Sequence, residues 1–174
     1  AGLIQAYKAD KYPGTENGQA EKAAESIRLS MDLAEAVADA DLVIEAVPET
    51  VEIKKSTYEN LAKVAPEKTI FATNSSTMLP STFMEYTGRP EKFLALHFAN
   101  HIWRLNTAEV MGTSKTSPEI FDTIVEFAEE IKMVPIKVLK EQPGYVLNSL
   151  LVPFLNAGAG LLVKGVADPE TIDK

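Results

Sequence analysis

The sequence contains no cysteine, and its 174 residues include only two histidines and one tryptophan. The missing thiol excludes disulfides, thiolate metal sites, iron–sulfur clusters and a cysteine nucleophile, and it fits a reducing cytoplasm. No apolar run reaches the roughly 18 residues that a membrane-spanning helix needs, and no basic stretch leading into an apolar one opens the chain. Neither membrane insertion nor secretion is expected. Positive charge is scarce as well: 17 basic against 25 acidic side chains leave a formal net charge of −8. That balance argues against nucleic acid as a partner, and an anionic ligand would need local positive potential.

The remaining composition belongs to a folded domain. Hydrophobic residues make up 45% and charged residues 24%, which excludes disorder, collagen and coiled coil and leaves room for a single core. The chain opens AGLIQAYKAD without Met and closes VADPETIDK, where Asp168-Pro169-Glu170 reads as the cap and first turn of a helix. A piece of a longer protein is therefore expected. There is no internal repeat and no low-complexity tract.

Apolar runs bounded by turn signals alternate with amphipathic stretches. Leu42 to Val47, Thr69 to Thr73, Phe93 to Phe98, Thr107 to Met111 and Met133 to Val138 read as strands. Between them, Val51 to Ala65 carries a helical apolar stripe, Pro80 to Tyr86 fits a short helix, and Ser117-Pro118-Glu119 caps a helix that places Ile120, Phe121, Ile124, Phe127, Ala128 and Ile131 on one face. The first thirty residues are polar, with Ala-rich helix signals on either side of the loop Pro13 to Gly18. Strands separated by helices of this length imply a doubly wound α/β domain, a mostly parallel sheet with helices on both sides. The third and fourth strands are too close in sequence for a helical crossover, so they pair antiparallel. Beyond Glu141-Gln142-Pro143-Gly144 the pattern becomes a long apolar helix from Tyr145 with Pro153 inside it, which places a domain boundary at 140/141.

His97 falls at the carboxyl end of the third strand, where open α/β sheets bind ligands; alone it is equally a buried histidine satisfied by backbone. Glu109 is the reason to prefer chemistry. In an antiparallel pair it lies beside His97, where a carboxylate fixes the tautomer and leaves the other ring nitrogen as a base. His101 follows four residues after His97, but in a strand-and-loop context it reads as a polar loop histidine and no metal site is expected. The run Ala72-Thr73-Asn74-Ser75-Ser76-Thr77 leaves the second strand with small polar side chains, suited to a turn or to hydrogen bonds with a ligand hydroxyl or a ribose. Glu45, Glu49 and Lys54 flank the turn after the first strand; a charge at a strand end is usually solvated, and only Glu49 and Lys54 sit where a bound cofactor would pass. Lys8, Lys11 and Arg104 are read as solvated cations, with binding of CoA phosphates as the other option.

The segments DADLVIEAVPE (39–49), TIFATNSSTMLP (69–80), FLALHFAN (93–100), the Glu109 of NTAEVM, and PGYVLNSLL (143–151) occur in an order and spacing that resemble the NAD-dependent 3-hydroxyacyl-CoA dehydrogenases, including the bacterial 3-hydroxybutyryl-CoA enzymes. The resemblance covers roughly residues 27–174. It implies an incomplete Rossmann-like NAD-binding domain over residues 1–140, followed by the start of an all-helical C-terminal substrate and dimerisation domain over 141–174. It implies NAD as hydride acceptor, an acyl-CoA substrate in fatty acid metabolism, and a homodimer in the full-length protein. By the same resemblance His97, Glu109, Ser76 and Asn148 are the catalytic group, with Ser76 and Asn148 also contacting substrate, and Ala46, Glu49, Lys54, Asn74 and Asn100 line the cofactor site.

The sequence departs from the family pattern in three places. It has no GxGxxG loop to cradle a pyrophosphate, and the Asn156 to Gly160 cluster has the wrong spacing. Most of the helical C-terminal domain is missing. His101 replaces the usual proline, and Trp103-Arg104 follows it. These departures leave two other readings: a dehydrogenase of a small hydroxy acid or sugar acid without CoA, or a non-catalytic structural protein on the same scaffold. If the polypeptide ends where the sequence does, open sheet edges and weak or absent NAD binding are expected.

Overall fold

Short β-branched and aromatic runs make the strands, and the computed structural model, which describes Gln5 and residues 16–174, assembles five of them into one sheet. They are Leu42–Glu45 (β1), Ile70–Thr73 (β2), Phe93–Phe98 (β3), Thr107–Gly112 (β4) and Val134–Val138 (β5), in that spatial order. β1–β2, β2–β3 and β4–β5 are parallel, while β3 and β4 are antiparallel, joined only by residues 99–106. The helices are Gln19–Ser26 (α1), Leu33–Val37 (α2), Val51–Val64 (α3), Pro118–Glu130 (α4), Leu147–Val163 (α5) and Pro169–Ile172 (α6). None of the described helices is long and apolar enough to cross a membrane. The start of the Pro13 to Gly18 loop, Lys8 and Lys11 lie outside the described residues.

Strand alternation sends side chains to two faces, each covered by a different helix. Ile70, Ala72, Leu94, Leu96, Ala108 and Val110 pack against Ile124, Val125 and Ala128 of α4. Phe71 and Phe93 pack against Tyr58 and Leu61 of α3 and Val37 of α2. Burying a phenylalanine fully contributes about 2 kcal/mol, and Phe71, Phe83 and Phe93 are all fully buried around Tyr58. Helices on both faces of a mostly parallel sheet make this the expected doubly wound arrangement.

Element ends shift where a polar group takes over a ladder position. β1 stops at Glu45 because the carboxylate of that residue accepts Val47 N–H at 2.7 Å. Thr69 stays outside β2, its N–H given to Pro66 O and its hydroxyl to Ala40 O. Met133 closes the end of α4 by donating to Ala128 O, so β5 begins one residue later. The segment expected as one helix over Pro80 to Tyr86 is two 3₁₀ turns, Pro80–Thr82 and Met84–Thr87, ended by Gly88 at φ 66°. Helix α5 begins at Leu147 rather than Tyr145, since Gly144 and Tyr145 both adopt positive φ, 77° and 55°.

Glu45 corrects the general expectation that a charge at a strand end is solvated. Glu45 is 4% exposed and its carboxylate accepts four donors: Val47 N–H, Lys54 Nζ at 2.8 Å, Tyr58 OH at 2.8 Å and Thr73 Oγ1 at 3.0 Å. Lys54, 1% exposed, also lies 3.5 Å from the Glu49 carboxylate. A buried charge persists only when its hydrogen-bonding capacity is met, and here one carboxylate ties β1, β2 and α3 together.

Burial, and next the Glu45 charge, push the Tyr58 hydroxyl far above the ordinary tyrosine range. The unfolded chain deprotonates this residue near pH 10 and the folded chain does not. The stabilisation is therefore complete below about pH 10 and is lost as pH rises above it. Urea midpoints should fall above that pH in the natural protein and fall less steeply in Tyr58→Phe; identical alkaline slopes would contradict the assignment.

Candidate active site

In the β3–β4 register His97 stands directly opposite Glu109, so both side chains leave the sheet on the same face. Both are buried, at 5% and 1% exposure. His97 Nδ1 meets Glu109 Oε2 at 2.8 Å, and Nε2 meets Ser76 Oγ at 3.2 Å. An ionised carboxylate can only accept, so Nδ1 carries a proton, and in the neutral ring Nε2 is then the acceptor, receiving the Ser76 hydroxyl. Asn148 of α5 donates from Nδ2 to the Ser76 carbonyl at 3.0 Å. Glu109, His97, Ser76 and Asn148, drawn from β4, β3, the turn after β2 and α5, thus form one connected chain of contacts.

The second oxygen of Glu109 has a role that sequence patterns do not reveal. Oε1 accepts the N–H groups of Val146 and Leu147, each at 2.8 Å. These are the opening donors of α5, which has no side-chain cap of its own. A helix start carries unpaired N–H groups and partial positive charge, so a carboxylate is stabilised there. Glu109 therefore serves as the cap of α5 and the partner of His97 at once. Tyr145, fully buried, lays its ring 5.0 Å from that of His97 and donates its hydroxyl to Met78 O at 3.4 Å. Burial, then the carboxylates of Glu49 and Glu109, push that hydroxyl above the ordinary tyrosine range, so it remains a donor.

The residues expected at the cofactor site separate into exposed and committed groups. Ala46 and Asn100 are exposed, and Glu49 keeps 42% of its side chain accessible while accepting the Ser75 hydroxyl at 2.8 Å. Asn74 is half-buried and joins the ends of β1, β2 and β3: its N–H goes to Glu45 O, and its Oδ1 accepts Phe98 N–H at 3.0 Å. Lys54 is different, since its ammonium is enclosed by Glu45, Val47 O and Glu49. The parallel ends of β1 and β2 open beside Ala46, Glu49 and Asn74, and an accessible carboxylate and amides there fit the hydroxyl-rich nicotinamide half of NAD. His101, at φ 56°, packs edge-on against Trp103 with centroids 5.1 Å apart. Among the described residues no group of three or more His, Cys, Asp or Glu could hold a metal ion.

The family described as "3-hydroxyacyl-CoA dehydrogenase, NAD binding domain" matches residues 3–142. Among curated relatives, the 3-hydroxybutyryl-CoA dehydrogenase of Clostridioides difficile is 38% identical over 136 residues, covering 78% of this chain and 48% of its own length. The mitochondrial hydroxyacyl-coenzyme A dehydrogenase of Homo sapiens is 36% identical over 153 residues, covering 88% of this chain and 48% of its own length. The chain thus spans about half the length of these relatives. A solved diketoreductase structure, described as showing substrate-directed dual catalysis of dicarbonyl compounds, superposes with a TM-score of 0.92 at 62% identity, over 98% of this chain and 60% of that one. On the strength of the domain match and these identities, the chain belongs to the 3-hydroxyacyl-CoA dehydrogenase family and aligns with its NAD-binding domain.

Proposed function

We propose that the protein is an NAD-dependent oxidoreductase interconverting a (S)-3-hydroxyacyl-CoA and the corresponding 3-oxoacyl-CoA. The observation that carries this reading is the buried Glu109–His97 pair in contact with half-buried Ser76, which in the neutral ring leaves an imidazole nitrogen as acceptor beside a serine hydroxyl. In the oxidation, the substrate hydroxyl loses its proton to His97 Nε2 while the C3 hydrogen leaves as hydride. Bound NAD supplies the hydride acceptor. Glu109 offsets the imidazolium charge as it forms, and Ser76 holds the reacting oxygen near Nε2. Asn148 anchors the turn that carries Ser76 and has a second amide donor for the same oxygen. Glu49, Asn74, Ala46 and Asn100 line the nicotinamide side; Lys54 acts there through its hold on Glu49. Residues 1–140 constitute the NAD-binding unit and 141–174 begin a helical unit, a division supported by the family match ending at residue 142.

A second reading concerns only the substrate. The 62% identity to a diketoreductase favours a dicarbonyl compound under the same proton transfer, and the His101-Ile102-Trp103-Arg104 segment leaving β3, which departs from the family pattern, is compatible with one that carries no CoA.

In the complete protein, His97→Ala should lower turnover by about 10²- to 10⁴-fold while NAD affinity, measured by calorimetry, is retained; undiminished turnover would overturn the assignment. Comparison of NADH oxidation with acetoacetyl-CoA and with a CoA-free diketo ester separates the substrates. Higher kcat/KM on acetoacetyl-CoA is expected, and the reverse order would establish the second reading.

A further inference from the structure

Tyr145 is a fully buried aromatic residue that the proton transfer does not use. Its backbone lies at φ 55°, in the left-handed region where a β-carbon is crowded and a bulky side chain is an outlier. The side chain is well accommodated all the same. Its ring packs over Ala95, Met111 and Val138 and lies 5.0 Å from the His97 ring, tilted by 39°. Its hydroxyl reaches Met78 O in the turn that carries Ser76. The left-handed backbone at Tyr145 also directs the next two N–H groups, those of Val146 and Leu147, at one oxygen of Glu109. A single residue therefore touches the imidazole, the serine turn and, through the chain that follows it, the carboxylate.

We propose that Tyr145 is a positioning residue for His97 and Glu109, its ring setting the plane of the imidazole and its backbone aiming the first N–H groups of α5 at the carboxylate. A residue that merely filled the core would support folding and leave the imidazole proton where it is. The kinetic consequence rests on His97 being the base, as proposed above. The structural part does not, since it can be read from the ring nitrogens without substrate.

The test uses the intact protein labelled with ¹⁵N in its histidine rings. Tyr145→Leu removes the flat ring, Tyr145→Phe keeps it, and Val138→Ala perturbs the same apolar cluster away from the imidazole. Tyr145→Leu should convert the single-tautomer pattern of His97 into a mixture and lower kcat by about 10- to 100-fold with KM retained. Tyr145→Phe should restore both, and Val138→Ala should lower the melting temperature without altering the His97 pattern. A folded Tyr145→Leu protein with the natural His97 pattern overturns the proposal. If that variant does not fold, Tyr145→Met replaces it with the same expectations, and failure of both to fold assigns the residue to the core alone and also overturns it. An altered His97 pattern with undiminished kcat would uphold the positioning and contradict His97 as base.

Discussion

One buried carboxylate organises the site. Glu109 accepts His97 Nδ1 on one oxygen and two backbone N–H groups at the start of α5 on the other, so its charge is met by three donors. Removing any of these donors would leave a buried charge under-satisfied, which is costly in a low-dielectric interior. The arrangement couples two features that would otherwise be independent: the tautomer of the imidazole, and the placement of the start of the 17-residue helix α5 beside β4. Asn148, one residue into that helix, reaches the Ser76 turn only because the helix starts where Glu109 holds it.

A second carboxylate performs a comparable task at the ends of β1 and β2. Glu45, at the end of β1, gathers Lys54 and Tyr58 of α3 with Thr73 of β2, and Lys54 extends the network to Glu49 and thence to Ser75. Ser76 follows directly. The turn bearing the serine is therefore held from one side by the Glu45 network and from the other by Asn148 and Tyr145. Such bracing from rigid elements holds the Ser76 turn in the narrow geometry that the proposed proton transfer requires.

Much of this was legible in the sequence, for physical reasons that differ by residue. The strands announced themselves through β-branched runs, and the short link over 99–106 required antiparallel pairing; alternation then placed His97 and Glu109 on one face. The burial of Glu45 is not legible, because charges at strand ends are usually solvated and only the tertiary structure brings Lys54, Tyr58 and Thr73 to the same carboxylate. The cap on α5 was invisible: it joins positions 109 and 146 across unrelated segments, and Val146 and Leu147 are not capping residues. Tyr145 falls within an apolar helical pattern, and nothing in its side chain signals a left-handed backbone that glycine or asparagine would ordinarily occupy.

The division of labour within Glu109 decides where the proton of His97 resides, and with it which nitrogen faces Ser76. With only two histidines in the chain, ¹⁵N spectra of the imidazole rings resolve this directly in the natural protein. In the neutral ring, a protonated Nδ1 and an unprotonated Nε2 are what the carboxylate dictates. A neutral ring with its proton on Nε2 would mean that Glu109 does not orient the imidazole, and the nitrogen assigned as base would not be available.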